Sequence, residues 1–126
     1  MRLLFAMLLL FAVSCLSLNE GTNTFVKESL NSNHVKKAVL SLRQSGATVA
    51  DSYQVTITEA GNNFDTDKVG NTFTVDANHI EAILDSASIN FVWLANDTLQ
   101  IDYDKELNTF IKEPYVARVV VIYKAR

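Results

Sequence analysis

The chain has 126 residues, of which 48% are hydrophobic, and carries a formal net charge of −3. A chain of this length fits one domain with a single core. The acidic excess argues against nucleic acid as a partner, because nucleic acids are bound by clustered Lys and Arg. Cys15 is the only cysteine, so no disulfide within the chain can form, and the residues after it contain no thiol for catalysis or zinc binding.

The first fifteen residues, MRLLFAMLLLFAVSC, have the pattern of an export signal. Arg2 precedes an apolar run that is as long as the core of a signal peptide and too short to span a bilayer. The stretch Ala12-Val13-Ser14-Cys15 resembles the bacterial lipobox, whose cysteine receives a diacylglycerol before the signal is cleaved in front of it. We therefore predict a signal peptide over residues 1–14 and lipidation at Cys15.

A second interpretation of this segment stays open. Ala12 stands where the lipobox usually has Leu, and ordinary cleavage after Ser17 would instead give a secreted or periplasmic soluble protein. If Cys15 is lipidated, the protein belongs to the bacterial cell envelope and contacts the membrane through this residue. Leu16 after the cysteine resembles the sorting pattern for the outer membrane in organisms with two membranes.

Residues 15–33 are rich in Asn, Ser, Thr, Glu and Gly, which predicts a polar tether with a weak helical turn near Phe25–Leu30. The domain is then expected over residues 34–126. Within it, apolar and polar residues alternate with the period of a half-buried strand in three places. These are Lys37–Arg43, Tyr53–Thr58 and the pair Phe73 and Val75.

A hairpin is predicted from Ile89–Leu94 and Thr98–Tyr103, with Ala95-Asn96-Asp97 as its turn. The last strand, Val116–Tyr123, is apolar on both faces, which indicates a central strand or one covered by a helix.

Two short helices are also expected. Asn78 and Glu81 form a capping-box pattern ahead of Ile80, Ile83 and Leu84. Asp104 would cap a second helix that carries Leu107, Phe110 and Ile111 and ends at Pro114. The expected fold is a β-dominated α+β domain of about six antiparallel strands. It would be either a small sandwich or, as we favour, one curved sheet with helices over a face.

Several short motifs in residues 33–123 resemble a group of small exported bacterial lipoproteins of unknown function. They are Lys37-Ala38-Val39-Leu40, Gly46-Ala47-Thr48, Gly70-Asn71-x-Phe73, Trp93 and Asp97-x-Leu99-x-Ile101-x-Tyr103. The chain departs from the group in its longer segments at Ala77–Ser88 and Lys105–Tyr115. The resemblance implies a fold and a compartment and assigns no chemistry.

Candidate sites are few. Asp65, Asp67, Gly70 and Asp76 have the spacing of part of a calcium loop, but Val69 stands where a ligand is needed, so a loop between strands is expected. His34 and His79 are 45 positions apart and are expected on the surface. No metal or cofactor is predicted.

Other motifs have structural explanations. Gly46-Ala47-Thr48 is expected as a tight connection, although a ligand-gripping loop is the alternative. Trp93, between Phe91 and Tyr103, is expected in the core and not as a ligand platform. Asp102 and Asp104 share a strand face, and no catalytic residue is predicted from them.

The sequence therefore favours a non-enzymatic, lipid-anchored envelope protein whose β-domain is a binding or structural module, possible partners being other envelope proteins. An immunity-like or hydrolase-inhibiting exported protein is one alternative, suggested by the small size and negative charge. A small-ligand binder or an unrecognised hydrolase is another, for which a cleft with converging polar side chains would be the distinguishing feature.

The lipidation can be tested by intact-mass analysis of the membrane fraction from cells that express the full chain or the Cys15→Ala variant. We expect a mass gain on Cys15 in the wild type, because the acylated cysteine becomes the new N-terminus, and an unprocessed, unmodified variant. A soluble wild-type product that begins near Leu18 would contradict lipidation and support ordinary secretion.

Overall fold

The structure, a computed structural model, describes residues 21–46, 50–77 and 84–126, which form a β-sandwich of two sheets. The strands of this part of the chain are β1 Thr22–Leu30, β2 Lys36–Gln44, β3 Ser52–Glu59, β4 Phe73–Asp76, β5 Ile89–Ala95, β6 Thr98–Tyr103, β7 Asn108–Lys112, β8 Tyr115–Val116 and β9 Val119–Ala125. A single 3₁₀ turn, Ser86–Ser88, precedes β5. No helix in the described ranges is long and apolar enough to cross a membrane.

The first sheet has the strand order β1-β2-β3-β4-β7 and is antiparallel throughout. The second sheet has the order β5-β6-β9-β8, in which β6 and β9 run parallel and the other pairs run antiparallel. The chain therefore passes from the first sheet to the second after β4, returns for β7 and passes back for β8 and β9. The first sheet is completed by β7 from the C-terminal half of the domain, whereas all four strands of the second sheet lie within residues 89–125.

The core lies between the facing sides of the two sheets, where alternate residues of each strand are buried. The first sheet contributes Ala38, Leu40, Tyr53, Val55, Ile57, Phe73 and Val75, and the second contributes Ile89, Leu99, Ile101, Tyr103, Val119 and Val121. Phe73 is fully buried and joins the sheets, since its ring centroid lies 5.0 Å from that of Tyr103 and 5.2 Å from that of Tyr123. Such aromatic contacts add to the hydrophobic stabilisation of a core.

Tyr123 also carries a polar link between the sheets. Its hydroxyl is 3.1 Å from the carbonyl oxygen of Thr72 and 2.6 Å from that of Glu113. Burial raises the pKa of Tyr123 above its ordinary value, and the charge of Glu113 adds to this effect. The Lys112 ammonium lies 5.2 Å from the centre of the Tyr123 ring, within cation–π distance.

Three side chains close the edge of the sandwich where β1 and β5 approach each other. Lys27 Nζ donates to the carbonyl oxygens of Ser86 and Ile89 at 2.8 and 2.6 Å. Trp93 Nε1 donates to the carbonyl oxygen of Ser29 at 3.0 Å, and Asn31 Nδ2 donates to that of Asn96 at 2.9 Å. Desolvation lowers the pKa of Lys27, as expected for an ammonium drawn into such an edge.

The structure confirms the β-dominated fold and places strands in all the segments predicted to be strands. The predicted hairpin is present as β5 and β6, with Asn96 and Asp97 at its turn. The preference for one curved sheet with two helices is wrong in its arrangement, because the described residues form two sheets and contain only the short 3₁₀ turn.

The predicted helix after Asp104 is strand β7 instead. Asp104 does cap a turn, but only a single one. Its Oδ1 accepts from the backbone amide of Glu106, and its carbonyl oxygen accepts from the backbone amide of Leu107. Leu107 is buried in the core, whereas Phe110 is 61% exposed, so the two do not share an apolar face. The helix predicted from Asn78 lies almost wholly outside the described residues.

The predicted tether contains a strand that the composition concealed. Residues 22–30 form β1, an edge strand paired along its length with β2, so the helical turn expected near Phe25–Leu30 is absent. The polar residues of β1 are compatible with an edge position, because one side of such a strand faces solvent. The rest of the predicted tether before Gly21 lies outside the described residues.

The last predicted strand is divided in the structure into β8 and β9, joined by a turn at Ala117 and Arg118. Both turn residues have positive φ, 50° and 64°, as a two-residue type I′ hairpin requires. Strand β9 is central, as predicted, but its outer face is uncovered: Val120 and Ile122 are 45% and 43% exposed.

The joining role of Phe73 can be tested against Phe110, a residue of the same type on the neighbouring strand. Phe73→Ala should lower the free energy of unfolding by about 3–5 kcal/mol, because it removes a fully buried ring and leaves a cavity. Phe110→Ala should change it by less than about 0.5 kcal/mol, since the ring is mostly exposed. Urea denaturation measures both, and equal effects would contradict the placement of the core.

Candidate functional site

The outer face of the first sheet, which points away from the core, is covered by the connection between β3 and β4. This connection, residues 60–72, is called the strap below. Beneath and beside it, polar and charged residues of β2 and β3 are almost fully buried: Lys37, Ser41, Arg43 and Gln54 are at most 9% exposed. Because β2 is also buried on its core face, it is enclosed on both sides.

Asn23 and Arg43 hold the middle of the strap. Asn23 Nδ2 donates to the carbonyl oxygens of Asp65 and Lys68, and Asn23 Oδ1 accepts from Arg43 Nη1 at 3.0 Å. The same Arg43 nitrogen donates to the carbonyl oxygen of Asp67 at 3.1 Å. These bonds satisfy strap carbonyls that would otherwise face a covered surface without partners.

The C-terminal end of the strap is fixed to β3. The amide of Gly70 donates to Gln54 Oε1, and a Cβ at Gly70 would lie 2.8 Å from that of Gln54, so glycine is required by this close approach. The Asn71 side chain accepts from the amide of Ile57 at 3.0 Å and donates to its carbonyl oxygen at 2.9 Å. The side chain thus continues the β3 ladder beyond the end of β4.

The N-terminal half of the strap is held less densely. Lys37 Nζ donates to the carbonyl oxygen of Asn62 at 2.8 Å, and the ring of Phe64 meets that of Phe25 edge-on, with centroids 5.6 Å apart. Asp65 folds its carboxylate back onto the amides of Asp67 and Lys68. These two hydrogen bonds lower the pKa of Asp65, so the group stays ionised.

A cleft of about 660 Å³, called the strap cleft below, lies between the strap and the sheet. Its floor is formed by paired positions of β2 and β3, where Lys37 faces Thr58 and Val39 faces Thr56, with Ser41 further along β2. Its walls include Asn62, Asn63, Phe64, Asp65, Lys68 and Val69 of the strap. The volume is within the usual range for small-molecule sites.

Two hydroxyl groups in the strap cleft have no hydrogen-bond partner among the described residues. Ser41 is only 4% exposed, and Thr56 is half-buried. Both hydroxyls are accessible from the cleft and free to bond a ligand or water; the buried side-chain oxygen without a partner in the described ranges is Thr74 Oγ1, which does not line the cleft. The third floor hydroxyl, of Thr58, accepts from Asn62 Nδ2 at 2.7 Å.

The charges in the strap cleft are balanced in pairs. Lys37 Nζ lies 3.4 Å from a carboxylate oxygen of Glu28, on β1 outside the lining. Lys68 on the strap is close enough to Asp65 to help lower the pKa of that carboxyl. The lining therefore holds two cations, Lys37 and Lys68, and one carboxylate, Asp65, while Glu28 pairs with Lys37 from outside the lining.

The residues predicted as possible sites do not form this cleft, except for Asp65. Asp76 lies at the end of β4 and Asp67 is on the strap, and no three His, Cys, Asp or Glu side chains within the described ranges are grouped to hold a metal. His34 is exposed in the turn before β2. His79 and Cys15 lie outside the described residues.

Trp93 is half-buried and packs against the core, as predicted. Asp102 accepts from Gln100 Nε2 at 2.8 Å, whereas Asp104 accepts from a backbone amide, so the two carboxylates serve separate local structures. Of the predicted Gly46-Ala47-Thr48 turn, only Gly46 is described, with a φ of +109°.

The outer face of the second sheet carries exposed apolar residues. Val92 and Leu94 of β5 and Val120 and Ile122 of β9 are 42–53% exposed, and Tyr115 of β8 is 62% exposed. Gln100 lies between Val92 and Ile122 in the register. This face differs from that of the first sheet, which the strap covers.

The sequence predicted the polar face of β2 but not the strap that covers it. Lys37, Val39 and Ser41 were assigned to one side of a half-buried strand, whereas residues 60–72 were expected to be a solvated loop. Two features of the sequence could have indicated the strap. Val39 is apolar although it lies on the polar side of β2, and the glycine of Gly70-Asn71 is typical of a loop that closely approaches another strand.

Comparison with known proteins gave no match: no family model, no curated protein and no solved structure is detectably similar to this chain.

The hold of Asn23 on the strap can be tested with Asn23→Ala, using Asn63→Ala as the matched control. Asn23→Ala should lower the free energy of unfolding by about 2 kcal/mol and speed amide exchange in residues 64–70, because two strap carbonyls lose their partner and Arg43 Nη1 keeps only the carbonyl oxygen of Asp67. Asn63 is exposed and makes no hydrogen bond within the described residues, so Asn63→Ala should change neither. Unchanged exchange in Asn23→Ala would contradict this role.

Proposed function

We propose that the protein is a non-enzymatic, lipid-anchored component of the bacterial cell envelope that binds a small polar ligand in the strap cleft. The observation that carries the proposal is the Ser41 hydroxyl. Ser41 as a residue is 4% exposed, and its hydroxyl has no partner among the described residues and opens onto a cleft of about 660 Å³. A ligand hydroxyl, amide or carboxylate would provide the missing hydrogen bond.

The strap cleft is suited to binding because its walls are already held in place. Hydrogen bonds from Asn23, Arg43 and Asn71 fix the strap over the sheet. A preformed site loses little conformational freedom on binding, so more of the contact energy remains as affinity. Thr56 adds a second free hydroxyl beside Ser41 on the same face of the sheet.

The anchoring part of the proposal rests on the sequence of residues 1–15. Strand β1 begins at Thr22, so only six residues separate it from Cys15. Since an extended residue spans at most about 3.6 Å, this linker reaches little more than about 20 Å. The sandwich would therefore stay close to the membrane surface, in contrast to the longer tether expected from composition.

The leading expectation from the sequence was an envelope module with another protein as partner, and the exposed apolar face of the second sheet is compatible with it. The inhibitory alternative depends on size and charge alone and remains a prediction from the sequence. The small-ligand interpretation is preferred here because the strap cleft supplies the converging polar groups that it requires.

Binding can be tested with the full chain in detergent micelles, by following amide NMR shifts during titration with single sugars, dicarboxylates, amino acids and dipeptides. At least one compound should shift the amides of the strap and of β2 in a saturable way. Ser41→Ala should weaken that binding about fivefold to tenfold, since one hydrogen bond is lost.

Ser86→Ala is the matched control, because Ser86 is exposed at the 3₁₀ turn away from the cleft, and it should bind normally. The melting temperature of ligand-free Ser41→Ala should be unchanged or higher, as the removed hydroxyl has no partner. A marked fall in its melting temperature, or no strap shifts with any compound, would contradict the proposal.

A further inference from the structure

We infer that the ligand of the strap cleft is a neutral saccharide, an inference that rests on the function proposed above and specifies its ligand class. The first argument is charge. Lys37 already has Glu28 at 3.4 Å and the carbonyl oxygen of Asn62 at 2.8 Å, and the carboxylate of Asp65 lies on the same strap as Lys68. An anionic ligand would have to compete with Glu28 for Lys37 and would be repelled by Asp65, whereas a neutral ligand leaves the Lys37–Glu28 pair intact.

The second argument is the kind of polar group left without a partner. Ser41 and Thr56 offer hydroxyls, and Asn63 offers a carboxamide that makes no hydrogen bond within the described residues. Thr58 accepts from Asn62 and keeps its own proton for donation. Each hydroxyl both donates its proton and accepts at its oxygen, and the carboxamide donates from its nitrogen and accepts at its oxygen. Saccharide hydroxyls have the same dual character, so a ring bearing several of them matches this set.

The third argument is the placement of apolar surface between these polar groups. Val39 lies on the floor beside Thr56, and Phe64 and Val69 face it from the strap. Pyranose rings present C–H groups on their faces and hydroxyls around their rims. A ring inserted between floor and strap would place its faces against Val39 and Phe64 and its rim against the hydroxyls.

The volume indicates more than one sugar ring. A cleft of about 660 Å³ lies in the middle of the range that holds drug-sized molecules. A disaccharide is of this size, whereas one pyranose would leave much of the space to water. The cleft is open at the surface, so a longer chain could extend from it.

The experiment titrates the full chain in micelles with cellobiose, maltose and diacetylchitobiose as neutral probes, and with citrate and dialanine as charged ones. At least one neutral disaccharide should shift the amides of Ser41 and Thr56 in a saturable way. Its Kd should change less than about twofold between low salt and about 0.5 M salt, since screening acts only on charged ligands.

Variants then locate the contact. Ser41→Ala and Thr56→Val should each raise the Kd of that disaccharide about fivefold to tenfold, whereas Thr109→Val, on the exposed strand β7, should leave it unchanged. Shifts confined to other parts of the molecule, such as Trp93, would overturn the inference.

The charged probes separate the two proposals. If citrate or dialanine binds in the strap cleft and no disaccharide does, the saccharide class is wrong while the ligand-binding function stands. If no probe of any class shifts the strap or β2, both are overturned. A disaccharide whose Kd rises steeply with salt would also overturn the neutral character of the recognition.

Discussion

The structure depends on how the strap covers two cations on the outer face of the first sheet. Lys37 and Arg43 are almost fully buried, and a buried charge is strongly unfavourable unless it is hydrogen-bonded. Carbonyl oxygens of the strap accept those bonds: that of Asn62 from Lys37 and that of Asp67 from Arg43. Asn23 adds a further bond to the strap by donating to the carbonyl oxygen of Asp65. The strap therefore has a fixed course over the sheet, and the space that it fails to fill is the strap cleft.

The strands could be predicted where apolar and polar residues alternate, as in β2, β3, β5 and β6. Strand β1 could not, because an edge strand of Asn, Thr, Lys and Glu has the composition of a linker, even though its partner β2 follows it directly in the chain. Strand β7 was mistaken for a helix because Leu107, Phe110 and Ile111 have helical spacing over a window too short to distinguish the two periods. The strand bulges against β4, which breaks the alternation.

The candidate site was harder to predict than the fold, for a physical reason. Ser41 and Thr56 were correctly placed on the polar faces of their strands, but a hydroxyl on such a face is normally solvated. Its isolation from partners follows from the path of residues 60–72, which is set by contacts with Asn23 and Arg43 far away in the sequence. No local pattern encodes contacts of this range.

The repeated passage of the chain between the two sheets also has a kinetic consequence. The hairpin of β5 and β6 can form from local contacts, whereas β9 pairs with β6 in parallel across an intervening strand, β7, that belongs to the other sheet. Such a topology has a high contact order, and domains of this kind fold in about milliseconds to seconds, well behind helical bundles. Because the two sheets share one core and β7 of the first sheet lies between strands of the second in the chain, we expect both to melt in one cooperative transition.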